Sequence, residues 1–206
     1  SYNGAIGNVF GWGIGIYALT ASGTLNSGTG TIYLDGYSQS SGSNFGAGLY
    51  FYTNNPVTIR SASTSADAIK LVGKATGTSG QTFGLETEDS TLSILATGNG
   101  GGITINTSQQ RGSGDPYDIV FRGVTNILAK SGPINLIGRE GGGVAGGRLF
   151  ISNSLYLGSN ASSEVATRSS DNTIQYDDYY FNGLTPYFAT TGRVAWAPTD
   201  LSGSFV

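Results

Sequence analysis

The chain is expected to be all-β, a parallel β-helix of about six rungs with three short strands in each. Three observations carry that expectation. A trio of short apolar pulses returns about every 34 residues along the chain. Within each pulse, apolar and polar residues alternate with a period of two, as in a strand with one buried face. Nothing recurs at the three- and four-residue spacing of a helix, and glycine is too frequent for one.

Taken in order, Ile14-Gly15-Ile16-Tyr17 and Thr24-Leu25 supply the last two strands of the first rung. The trio then reads Thr31-Ile32-Tyr33-Leu34, Gly48-Leu49-Tyr50-Phe51 and Val57-Thr58-Ile59. It returns as Ala68-Ile69-Lys70-Leu71, Gly84-Leu85-Glu86-Thr87 and Leu92-Ser93-Ile94. The next pass is Gly102-Ile103-Thr104-Ile105, Asp118-Ile119-Val120-Phe121 and a degraded Asn126-Ile127-Leu128-Ala129. After it come Pro133-Ile134-Asn135-Leu136, Arg148-Leu149-Phe150-Ile151 and Leu155-Tyr156-Leu157. The fifth pass is read as Thr173-Ile174-Gln175-Tyr176, Pro186-Tyr187-Phe188-Ala189 and Val194-Ala195-Trp196. Six rungs at the usual ~4.8 Å strand spacing make a rod about 29 Å long.

The anchors Ile32, Ile69, Ile103, Ile134 and Ile174 lie 37, 34, 31 and 40 residues apart. Most of that variation falls between the first and second strands, at Asp35–Ala47, Val72–Phe83, Asn106–Tyr117 and Ile137–Gly147. The rest falls in Gly158–Asp171. These segments are rich in Gly, Ser, Thr and Asn and are expected to be exposed loops. An antiparallel β-sandwich also has many short strands and Gly-rich turns, but it does not require its strands to resemble one another. These do.

Alternation sends Ile32/Leu34, Ile69/Leu71, Ile103/Ile105 and Ile134/Leu136 inward. Three outward columns follow. The first strands give Tyr33, Lys70, Thr104, Asn135 and Gln175. The second strands give Tyr17, Tyr50, Glu86, Val120 and Phe150. The third strands give Thr58, Ser93, an unclear rung, Tyr156 and Ala195.

Composition narrows the chemistry. Glycine is 34 of 206 residues, roughly twice the usual share, and charged residues are 11%. Aromatics are also 11% and fall within the pulses, so enough apolar surface exists for folding. With no Cys, Met or His, disulfides, thiolate metal sites and histidine-based catalysis are excluded. A net charge of −3 with dispersed basic residues makes nucleic acid an unexpected partner. No signal peptide is visible, and no apolar run approaches the ~20 residues of a membrane span. The missing initial Met points to a processed chain or an excerpt. The expectation is one domain, 1–206, belonging to a longer fibre.

The phrase Gly30-Thr31-Ile32-Tyr33-Leu34-Asp35-Gly36, the Gly/Ser-rich loop, Gly46-Ala47-Gly48-Leu49-Tyr50 and Val57-Thr58-Ile59 resemble the strand repeats of filamentous-haemagglutinin-type bacterial surface proteins. The ending Thr190-Thr191-Gly192-Arg193-Val194-Ala195-Trp196-Ala197-Pro198-Thr199 is similar to the segment that closes such repeat blocks. The resemblance covers most of Gly13–Thr199. It implies a right-handed helical shaft of an exported adhesin, secreted through a partner outer-membrane pore and displayed at the cell surface. It brings no catalytic motif.

Carboxylates are the remaining catalytic candidates. Asp177-Asp178 diverge on an extended chain, while Glu86 and Glu88 share a face with Asp89 nearby. All are expected to be solubilising charges. Calcium at Asp115/Asp118 or Asp177/Asp178 lacks the glycine-rich nonapeptide pattern. The outward columns are not threonine ladders, which argues against ice binding.

The aromatics Tyr17, Tyr33, Tyr50, Tyr52, Phe150, Tyr179 and Tyr180 are candidates for stacking on sugar rings. Alternatively, side loops fold over this face and make a satellite core. Neither terminus carries an amphipathic helix to cap the open strand edges, so the chain is expected to continue in its parent or to stack end to end. The favoured function is a non-catalytic adhesive shaft without cofactor or metal, contacting surface glycans or polysaccharide. A self-assembling fibre subunit and a carbohydrate-active β-helix enzyme are the alternatives.

Overall fold

A computed structural model describes residues 11–18, 21–40, 46–77, 81–88, 91–109, 116–140, 147–158, 170–176, 178–182 and 186–197. Numbered in chain order, the second pulses are β1 Gly11–Ala18, β4 Gly46–Thr53, β7 Thr82–Glu88, β10 Pro116–Phe121, β13 Arg148–Ile151 and β16 Asp178–Phe181. The third pulses are β2 Gly23–Asn26, β5 Val57–Ser61, β8 Leu92–Ala96, β11 Thr125–Ala129, β14 Leu155–Leu157 and β17 Tyr187–Phe188. The first pulses are β3 Ile32–Ser40, β6 Ile69–Gly77, β9 Ile103–Gln109, β12 Ile134–Glu140, β15 Asn172–Gln175 and β18 Val194–Ala197. Each set forms its own six-stranded sheet, and every pairing is parallel. The chain is a β-solenoid of three strands per turn.

Parallel pairing one turn apart stacks like on like. Ile32, Ile69, Ile103 and Ile134 form one continuous column, and Leu34, Leu71, Ile105, Leu136 and Ile174 form the next. The other sheets contribute Leu49, Leu85, Ile119 and Leu149, and Ile59, Ile94, Ile127 and Leu157. These side chains make one apolar core running along the axis. Each column buries its side chains against near-identical neighbours one turn away.

The fifth pass differs from its sequence reading. Tyr179-Tyr180-Phe181 is not in a loop; it is the second strand of that turn, paired with β13. Tyr187-Phe188 therefore moves to the third-strand sheet, against Tyr156-Leu157. Val194-Ala195-Trp196 opens a further turn beside β15. The register also shifts by two: Asn172 stands over Ile134, and Ile174 over Leu136. A buried asparagine in the isoleucine column conceals the true start of β15 from an apolar count.

The segments expected to be loops between first and second strands are strand at their flanks. β3 and β6 run nine residues each, to Ser40 and Gly77, well past their inward pairs. Val72, Ala75, Phe83 and Thr107 are buried within them. Where first and second strands meet, Gly73 lies against the carbonyl oxygen of Gly84, and Gly36 against that of Gly48. No side chain fits there, so glycine lets the two backbones cross and continue outward. Beyond the crossing, Thr82 Oγ1 donates to Gln109 Oε1 at 3.2 Å. The remaining variable stretches, 41–45, 78–80, 110–115, 141–146 and 159–169, lie outside the described residues.

Candidate functional site

The outward face of the second-strand sheet carries the most distinctive chemistry. Register aligns Gly15, Tyr50, Glu86, Val120, Phe150 and Tyr180 in one column. Tyr17, Tyr52 and Glu88 align two residues along. Ala47, Tyr50, Phe83 and Val120 are buried there, with Tyr52, Tyr117 and Phe150 packed around them. This is a second apolar cluster outside the solenoid core. The side-loop residues 41–45, 78–80, 110–115 and 141–146, which the satellite-core expectation folds over this face, lie outside the described residues.

Glu86 sits within that cluster with no exposed surface, contrary to its expected place among solubilising charges. Arg122, one position past the Phe121–Thr87 pair, returns over it. Arg122 donates from Nε to Glu86 Oε1 at 2.9 Å, and its backbone N–H donates to the Thr87 carbonyl at 3.0 Å. The same Nε stands 3.9 Å from Glu88 Oε1, and Tyr50 donates its hydroxyl to Glu88 Oε2 at 2.9 Å. The guanidinium also lies 5.7 Å from the centroid of Phe150, within cation–π range.

Burial pushes the Glu86 carboxyl up to about 8, a rise that the Arg122 hydrogen bond and charge reduce and the Glu88 charge adds to. Oε2 of Glu86 has no hydrogen-bond partner. A carboxyl that keeps its proton near neutral pH has the property required of a general acid. Enclosed as it is, Glu86 pins three successive turns together, linking β7 to β10 and, through Phe150, to β13.

The candidate aromatics separate into distinct settings. Tyr50 is buried and stacked on half-buried Tyr52, with centroids 6.1 Å apart and planes 9° apart. Phe150 is half-buried, 5.0 Å from Tyr117 and 5.2 Å from Tyr180. Tyr180 stacks on Phe150 at 8° and is itself 51% exposed. Tyr33 stands on the first-strand sheet, exposed, donating its hydroxyl to Asp35 Oδ2 at 3.0 Å. Tyr17 pairs with Tyr52, and Tyr179 with Leu149 in an inward column; the side chains of both lie outside the described residues.

Sequence reading missed Arg122, whose signal was its alignment beside Glu88 one turn away. Of the aromatics of the last turns it took Tyr179 and Tyr180 as contacts but not Tyr187 or Trp196. Exposed Tyr187 lies 5.9 Å from Tyr156 with the rings tilted by 52°, and Phe181 and Phe188 lie 6.1 and 5.7 Å from Trp196.

Asp118 is buried and accepts the Arg148 backbone N–H at 2.8 Å, while Asp178 is placed by register opposite Arg148. Asp89, Asp115 and Asp177 lie outside the described residues. Among the described residues no cluster of three or more acidic side chains forms a metal site. Thr173, not Gln175, continues the first outward column, and Asn126 and Tyr187 complete the third. Neither column is a threonine ladder. No helix among the described residues is long and apolar enough to cross a membrane.

The fold defines the class of this chain as a parallel β-solenoid repeat protein. A scan of protein-family models matched none, and neither the curated proteins nor the solved structures gave a significant match.

Proposed function

We propose that the chain is a shaft segment of an exported bacterial surface or matrix protein of the filamentous-haemagglutinin type, structural and adhesive rather than catalytic. The observation that carries this reading is the single apolar core running through all six turns. A continuous core gives stiffness along the axis and leaves the outward columns free to vary. Contact falls to the side loops and to aromatic shelves, above all Tyr180 on Phe150 and Tyr187 beside Tyr156. Flat rings with an exposed face suit the apolar faces of sugars, so glycans or polysaccharide are the proposed ligands.

The carbohydrate-active enzyme is the weaker alternative. Glu86 and Glu88 are a carboxylate pair with one raised value, but Glu86 is sealed and held by the Arg122 hydrogen bond. The test is retention of the chain on immobilised polysaccharides and intact cells. Tyr180→Ala and Tyr187→Ala together should abolish retention while leaving the thermal melt in place. Retention unchanged by the double variant sinks the adhesive surface, and release of reducing sugar by the parent but not by Glu86→Gln sinks the non-catalytic reading.

A further inference from the structure

Four side chains follow one another along the axis on the second-strand face, one turn apart. They are Glu86 on β7, Arg122 just after β10, Phe150 on β13 and Tyr180 on β16. Arg122 joins the first to the third. Its Nε donates to Glu86 Oε1 at 2.9 Å, and its guanidinium lies 5.7 Å from the Phe150 centroid. Phe150 in turn stacks on Tyr180, with centroids 5.2 Å apart.

The link to Glu86 is half made. Glu86 has no exposed surface, Oε1 receives Arg122, and Oε2 has no hydrogen-bond partner. A protonated carboxyl fits this arrangement, with Oε1 as acceptor and the proton on Oε2. An ionised one does not, because a bare carboxylate oxygen in an enclosed apolar site is strongly unfavourable. The titratable and charged groups on the elements packed against it are Tyr50 and Tyr52 on β4, Glu88 on its own strand, Tyr117, Asp118 and Arg122 on or just after β10, and Arg148 on β13. Tyr50 donates to Glu88, and Asp118 accepts the Arg148 backbone N–H. Burial and Glu88 favour the neutral form, Arg122 favours the ionised one, and burial is the largest of these effects. Arg122 is the donor already in reach of Oε2. Turning its guanidinium to bring a second N–H onto that oxygen makes the two-pronged pair arginine forms with carboxylates. The same turn carries it off the Phe150 ring.

We propose that Glu86, Arg122 and Phe150 form a proton-operated latch on this face. With the proton in place, Arg122 is shared between Glu86 and Phe150 and backs the Phe150–Tyr180 stack. When the proton leaves, Arg122 closes on both oxygens of Glu86 and the stack loses its support. Glycan contact at that shelf is then strong in neutral solution and weak in alkaline solution. Ligand and proton favour the same state, so each strengthens the binding of the other by the same factor. That last consequence rests on the adhesive reading above; the latch itself does not.

Nuclear magnetic resonance of the labelled whole chain reads the latch directly, from about pH 6 to about pH 9, below the range where ordinary tyrosines ionise. The Glu86 carboxyl carbon and Arg122 Nε should shift together through one midpoint near pH 8. Overhauser contacts between the Arg122 side chain and the Phe150 ring should be present below that midpoint and lost above it. Glu86→Gln keeps an oxygen acceptor for Arg122 and should hold those contacts at every pH. On immobilised polysaccharide, retention of the parent should fall about tenfold between about pH 7 and pH 9, while Glu86→Gln keeps it. Arg122–Phe150 contacts that persist in the parent after Glu86 has ionised overturn the proposal. So does a Glu86 that titrates in the ordinary carboxylate range, and so does the same loss of contacts in Glu86→Gln. Equal falls in retention for both chains overturn control of the shelf. Retention of neither chain at any pH sinks the adhesive reading, and the Arg122–Phe150 contacts then decide the latch alone.

Discussion

Arg122 Nε donates to Oε1 of Glu86 at 2.9 Å on the outside of the solenoid wall, where the carboxyl is fully buried and the arginine side chain stays 38% exposed. The pair depends on parallel register. Glu86 is the third residue of one pulse and Arg122 directly follows the same pulse one turn later, 36 residues on. The enclosure has a thermodynamic consequence.

Glu86 holds its proton up to about pH 8 in the fold, against an ordinary value of 4.5. A raised folded value means the native state binds the proton more tightly than the unfolded chain. That stabilisation is complete below the unfolded value and is lost as pH climbs through the folded one. Stability should therefore fall between about pH 5 and pH 8, by at most about 1.4 kcal/mol per pH unit. Glu86→Gln keeps the acceptor for Arg122 and removes the titration, so its melting temperature should be flatter over this range and higher at the alkaline end. Parallel profiles for parent and variant across a pH series would show that Glu86 does not titrate here.

Gly73 tests the crossing of first and second strands. A methyl group at this position meets the Gly84 carbonyl, which is backbone and has nowhere to move. Gly73→Ala should cost about 3 kcal/mol or more. At Gly23 the added carbon meets only a Val57 methyl at 3.8 Å, and Gly23→Ala should stay within about 0.5 kcal/mol. Urea denaturation of both compares them directly, and equal costs would place the crossing elsewhere.

Position along the column should set the cost of a core substitution. Ile103 is fully buried between Ile69 and Ile134, so Ile103→Ala should lose about 2–5 kcal/mol. Ile103→Asp buries an unpaired carboxylate and should leave the chain unfolded at room temperature. Val194, at an open end, should tolerate Ala within about 1 kcal/mol. Chemical denaturation curves that rank Val194→Ala with Ile103→Ala would contradict the inward columns as drawn.

Much of the fold was legible because a parallel solenoid writes its contacts locally. Ile69 stacks on Ile103 because each occupies the same place in its own pulse, so self-similarity stands in for long-range pairing. Legibility failed where the pulse was disguised. Asn172 fills an isoleucine position with an amide, and Tyr179-Tyr180-Phe181 reads as loop because its aromatics do not alternate with polar residues. The glycine-rich stretches after Leu34 and Leu71 were read as loops. Glycine there serves a backbone crossing instead, and the strands continue through it.

The sequence by itself determined the class of fold, the three strands per turn and the inward columns, since period-two alternation and a recurring trio are local properties of the chain. Tertiary structure alone decided the fate of the outward face. Alternation shows that Glu86, Tyr50 and Phe150 leave the core; it does not show whether water meets them. That depends on Val120 and Arg122, brought alongside from the next turn, on Phe83 of the same strand as Glu86, and on the low dielectric around that one carboxyl.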